Sequence, residues 1–108
     1  MMDLKDRNCI SLDPDSAAFN KEKIDVFKQQ LSPTWEVLNS STLKGEFPFE
    51  NFKKGMKFAS EISVIAEKEQ HHPDICIHYD KVVVELSTHS IGGLSLNDFI
   101  IAAKIDEL

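Results

Sequence analysis

The residues with the most pronounced chemistry are histidines and the carboxylates near them. His71, His72 and His78 fall close together, and His89 follows a short way on. Imidazole has a reference pKa of about 6.5, so it gives or takes a proton near neutrality. Two or three such rings around one pocket can supply both a general acid and a general base. Glu67 stands four residues before His71, a spacing that puts both on one helix face, where the carboxylate can orient the ring. His71 and His72 are adjacent where Pro73 ends the helical pattern, so their side chains can diverge around one cavity. His89 lies just past a strand and beside Gly92-Gly93, a loop that lets a planar ligand approach.

Each of these residues also has an ordinary structural reading. A histidine at a helix end often caps it. Asp98 falls three residues after Ser95, as the acidic member of a capping box. Glu67 is one charge in a solvated Glu-Lys-Glu run. Tyr79 alternates with Ile75 and Ile77 and reads as core, while His78 shares the opposite face with Cys76 and reads as sheet surface. His71, His72, His78, His89, Asp74 and Asp98 are possible metal ligands. Their spacing is not His-Glu-x-x-His, and adjacent histidines seldom turn to one ion, so no metal is assigned. Cys76, expected mid-strand among apolar neighbours, reads as an inert thiol.

Composition sets the frame for these residues. A chain of 108 residues suggests one domain, since domains commonly run to about 100–150. Hydrophobic residues at 42% and charged residues at 28% exclude a disordered chain or a fibre. The formal charge of −6, without any Lys/Arg block, excludes a direct grip on nucleic acid. No apolar run approaches the roughly 20 residues of a membrane span, and the polar stretch 1–15 lacks the apolar segment of a signal peptide. Two scattered cysteines, Cys9 and Cys76, make no disulfide framework, so a cytoplasmic setting is expected.

The elements that must position the histidines follow from periodicity. Residues 1–19 show little pattern and are expected as a flexible arm, mobile or loosely docked. Asn20 caps a helix to about Leu31, with Ile24, Phe27 and Leu31 on one side. Trp35 to Leu38 and Leu43 to Phe49 alternate around the turn Asn39-Ser40-Ser41, which predicts a hairpin. A long helix is expected over 52–70, capped by Asn51, with Phe52, Met56, Ala59, Ile62 and Ala66 as its apolar stripe. A second hairpin follows, turning at Asp80-Lys81, with Val82, Val84 and Leu86 on one face. Ser95 begins the last helix, which buries Phe99, Ile100 and Ala103. Hairpins rather than crossovers predict an α+β two-layer domain over 20–108: a four-stranded antiparallel sheet with three helices packed on one face.

The filled positions Glu67, His71-His72-Pro73, Tyr79, His89 and Asp98 resemble the signature of the pterin-4a-carbinolamine dehydratase family. The surroundings resemble it too: Trp35, the Phe47-x-Phe49-x-x-Phe52 run, and Leu86-Ser87-Thr88-His89 followed by Gly92-Gly93-Leu94. The likeness covers about residues 20–108. It implies an enzyme that eliminates water from a 4a-hydroxytetrahydropterin to give a quinonoid dihydropterin, with no cofactor and no metal. It implies acid and base roles for His71 and His89, pterin binding or assistance for His72, and support from Glu67, Pro73 and Asp98. Many members have an aromatic residue where this chain has Ile75, so stacking from that position is missing here. The resemblance further implies a homodimer or homotetramer. It leaves two alternatives: a non-catalytic dimerisation or interaction module on the same fold, or a pterin-related role in molybdopterin metabolism.

Overall fold

The computed structural model describes residues 3–108. Its elements run α1 (Lys21–Lys28), β1 (Trp35–Leu38), β2 (Thr42–Pro48), α2 (Phe52–Glu69), β3 (Asp74–Ile77), β4 (Lys81–Leu86) and α3 (Leu96–Asp106), with single 3-10 turns at Leu4–Asp6 and His89–Ile91. The four strands form one antiparallel sheet in the order β1-β2-β4-β3. This is the α+β architecture that the alternation and the hairpins predict.

Local sequence explains the helix starts. The Asn20 side chain accepts from the Lys23 N–H, and the Asn51 side chain accepts from the Lys54 N–H, so each cap satisfies a donor that the helix leaves free. The first hairpin turns through Asn39 and Ser40, both at positive φ, which matches the right-handed twist of the flanking strands. Along β2 and β4, Leu43, Gly45, Val82, Val84 and Leu86 are buried beneath the helices, while Glu46 and Glu85 point to the exposed face. Gly45 is opposite Trp35, and a Cβ there would lie 2.8 Å from Phe47 and 3.0 Å from the Trp35 ring. Those aromatic rings fill the space that a side chain would need.

Several expectations change in detail. Phe52 and Met56 are 52% and 44% exposed; the buried stripe of α2 is Gly55, Ala59, Ile62, Ala66 and Glu69. Gly55 takes the inward position, where its bare backbone lets Val82 approach. Tyr79 is 77% exposed rather than core, because β3 stops at Ile77 and the turn is made by Tyr79 and Asp80, not Asp80-Lys81. Cys76 is exposed rather than buried among apolar neighbours, because it shares the outer face with His78, whose Nε2 lies 3.5 Å from its Sγ. α1 ends at Lys28, and Leu31 is buried just beyond it.

Parts of the stretch ahead of α1 dock on the domain; Met1 and Met2 lie outside the described residues. Leu4 is buried, Cys9 and Ile10 hydrogen-bond to α2 and α3 side chains, and the Phe19 ring stacks on Phe27 and Phe99. Polar composition hid this docking, since only Leu4 and Phe19 mark it in the sequence.

Candidate active site

The end of α2 is where the histidines are set. Gln70 adopts a left-handed conformation (φ 55°), and its N–H caps the Ala66 carbonyl. The chain therefore leaves the helix before His71. The expected pairing of Glu67 with His71 does not form. Glu67 Oε2 lies 2.5 Å from His72 Nε2 instead, and both side chains are largely exposed. The i,i+4 rule needs a continuous helix, and here the helix ends between the two residues.

His71 turns inward to Asp98. Its ring is only 14% exposed, and its Nε2 is 2.6 Å from Asp98 Oδ1. Asp98 is fully buried. Its other oxygen, Oδ2, accepts from Thr88 Oγ1 at 2.8 Å and from the Ser95 N–H at 3.0 Å. The second of these completes the capping box at the start of α3. Thr88 has one hydroxyl proton, directed at Asp98, so the 2.7 Å contact between Ser95 Oγ and Thr88 Oγ1 takes its proton from Ser95. A carboxylate accepts and does not donate. His71 therefore donates from Nε2 to Asp98 Oδ1, which points its Nδ1 away from the carboxylate. Asp98 thus caps α3, as the sequence predicts, and also holds the His71 ring, the contact that the spacing predicts for Glu67.

His89 begins the 3-10 turn after β4 and is exposed. It lines an open depression of about 310 Å³ together with Asp74, Ser87, Thr42 and Gly92. That volume is at the lower end of the range for small-molecule sites. Gly92 sits at φ 69° and lets the loop turn back, so that the Thr88 N–H reaches the Gly93 carbonyl at 2.8 Å. His71 and His72 do not line this depression, but the chain joins the two places twice. Pro73 separates His72 from Asp74 in its wall, and Thr88, which holds Asp98, immediately precedes His89. His78 does not line the depression; its Nε2 lies beside Cys76 Sγ on the outer sheet face.

Thr88 and Ser87 carry no site role in the sequence reading, and Asp74 enters it only as a possible metal ligand. Thr88 is the hydroxyl between the two histidine positions, and its signal is a polar residue directly after a buried strand. Asp74 and Ser87 flank His89, with Asp74 opposite Glu85 in the β3–β4 register. Among the described residues, no three His, Cys, Asp or Glu side chains converge as a metal-ligand set.

The comparisons with known proteins point one way. A family model described as Pterin 4 alpha carbinolamine dehydratase matches residues 17–108. A protein of Alkaliphilus metalliredigens named "Putative pterin-4-alpha-carbinolamine dehydratase" is 38% identical, over 99% of this chain and 96% of its own. A protein of the same name from Hydrogenovibrio crunogenus is 43% identical, over 97% of this chain and 93% of its own. Among solved structures, a protein titled transcriptional coactivator/pterin dehydratase from Brucella melitensis superposes with a TM-score of 0.77 at 26% identity, covering 83% of this chain and 96% of that one.

Proposed function

The chain belongs to the pterin-4-alpha-carbinolamine dehydratase family, and we propose that it eliminates water from a 4a-hydroxytetrahydropterin by histidine acid–base catalysis. The observation behind this reading is the buried Asp98–His71 pair, held by Thr88, the residue directly before His89 in the wall of the depression. The substrate loses hydroxide from C4a and a proton from N5 as the C=N bond forms. Hydroxide is a poor leaving group, so an acid must protonate it, and a base must take the N5 proton.

The hydrogen bond to Asp98 gives His71 a fixed tautomer with Nδ1 free to accept a proton, which suits the base. His89, exposed at the mouth of the depression, then delivers the proton to the departing hydroxyl. His72, steadied by Glu67, binds the pterin edge, and Pro73 holds the turn between His72 and Asp74. Every one of these residues lies in the domain of residues 20–108. The family reading further supports a cytoplasmic homodimer or homotetramer with a pterin as its small-molecule substrate. No helix is long and apolar enough to cross a membrane among the described residues.

Binding tests the substrate class apart from turnover. A non-reactive dihydropterin titrated into the 15N-labelled protein should shift the resonances of His72, Asp74, Ser87 and His89, and His89→Ala should weaken its binding several-fold. Shifts elsewhere on the surface, or none at millimolar pterin, would rule out this site. Retained capture of a protein partner by a variant lacking His71, His72 and His89, together with absent pterin binding, would favour the interaction-module reading instead.

A further inference from the structure

The segment ahead of α1 is tied to both helices that hold the His71–Asp98 pair. Leu4 is buried against the domain, and the 3-10 turn that contains it packs on α3. Lys104 of α3 donates to the Lys5 carbonyl at 2.8 Å and lies 4.0 Å from Glu69 Oε2. The Cys9 N–H donates to Glu69 Oε1 at 2.7 Å. The Ile10 N–H donates to Asn97 Oδ1 at 3.0 Å, and Asn97 Nδ2 donates back to the Ile10 carbonyl at 2.7 Å.

The position of these two holders is informative. Glu69 is the last residue of α2, two before His71, and Asn97 directly precedes Asp98. Both are buried polar side chains on otherwise apolar helix faces, where neither adds to the core. A buried carboxylate or amide is costly to leave without partners, and the backbone of residues 9 and 10 supplies them. One short strip of chain thus fastens the end of α2 to the start of α3. The His71–Asp98 hydrogen bond spans the same gap.

We propose that residues 3–10 are a strap that positions the His71–Asp98 pair, with Glu69 and Asn97 as its positioning residues. The kinetic part of this proposal rests on the dehydratase reading; its structural part does not. Because Gln70 reverses the backbone between Glu69 and His71, the placement of the His71 ring depends on where Glu69 is fixed. Small misplacements of a catalytic group, on the order of 1 Å, can cost about 100-fold in rate.

The test uses full-length variants whose folding is checked by circular dichroism. Asn97→Ala removes both bonds to Ile10, whereas Ile10→Pro removes the Ile10 N–H and leaves both helices unchanged. Glu69→Ala removes the acceptor for the Cys9 N–H, and Glu69→Gln keeps one. We expect Asn97→Ala, Ile10→Pro and Glu69→Ala to lower kcat by about 10-fold with KM little changed, and Glu69→Gln to restore it. In the same three variants the imidazole 15N shifts of His71, read without substrate, should show the Nε2–H tautomer giving way to a mixture. Unchanged His71 shifts in folded Ile10→Pro, whose arm amides have lost exchange protection, would overturn the strap. A wild type that turns over no pterin, yet has strap-dependent His71 shifts, would overturn the dehydratase reading and keep the strap.

Discussion

Asp98 shows how one carboxylate can cap a helix and hold a histidine ring together. Asp98 accepts from Thr88, from the Ser95 backbone and from His71, so both of its oxygens are engaged by groups the fold has already placed. Asp98→Asn replaces one acceptor oxygen with a donor and removes the preference for Nε2–H on His71. We expect kcat to fall about 100-fold or more, with KM changed little, in steady-state kinetics. A proportional rise in KM alone would mean that Asp98 serves binding. The two thiols provide a separate check. Burial, and then the nearby Glu69 carboxylate, push the Cys9 thiol up to about 12, whereas Cys76 is exposed. At pH 8 a maleimide or disulfide reagent should label one thiol quickly, at Cys76, and leave Cys9 to react only on unfolding. The raised Cys9 value also has a sign: above its ordinary 9.0 the unfolded chain loses a proton that the folded chain keeps. Stability from this group therefore declines as pH rises from about 9 toward 12, and Cys9→Ala should remove that slope. At this scale the sequence named candidate residues but not how they pair. Glu67 and His71 have the right spacing, yet the helix ends between them and hands Glu67 to His72.

The elements were far more legible, because caps and periodicity are local. Asn20, Asn51 and Ser95 each begin the helix that the sequence predicts, and Trp35–Leu38 is a strand with the expected ends. What eluded the pattern was burial that depends on other elements. Phe52 and Met56 continue the apolar periodicity of α2, but the sheet lies under Gly55 and Ala59, so the larger residues stay outside. α3 is buried almost all round, because the arm and α2 pack on it and Phe27 of α1 meets its Phe99, and no amphipathic signal marks such a helix. Its last residue, Asp106, joins it to β1: its carboxylate accepts from Trp35 Nε1 at 2.9 Å, Ser32 Oγ at 2.8 Å and Ser32 N–H at 3.0 Å. Asp106→Ala leaves the buried indole N–H without a partner and should cost about 2–3 kcal/mol in denaturant unfolding followed by Trp35 fluorescence. A loss within error would mean that water takes over the bonds. Gly45→Ala should destabilise by about 1–3 kcal/mol, since the added methyl meets the Phe47 and Trp35 rings at 2.8–3.0 Å.

At the scale of the whole molecule, the sheet has two free sides. β1 and β3 are its edges, and each is only four residues long. Short edges limit uncontrolled pairing, while still offering backbone groups to a second copy. We expect light scattering on a size-exclusion column to give a multiple of the 12.2 kDa chain mass; a particle of 12.2 kDa would contradict assembly. The net charge of −6 opposes a nucleic-acid partner but has little bearing on a neutral pterin ring, which is recognised by shape and hydrogen bonds. The fold class was legible because two hairpins and three helices leave few topologies open. The arm was not, because its contacts join residues about 60 to 100 positions apart. Stopped-flow dehydration of a 4a-hydroxytetrahydropterin tests acid–base dehydration at His71 and His89. The wild type should accelerate the reaction well beyond buffer, and His71→Ala or His89→Ala should each lose about 100-fold or more of that acceleration. A wild type no faster than buffer, or histidine variants as fast as the wild type, would contradict it.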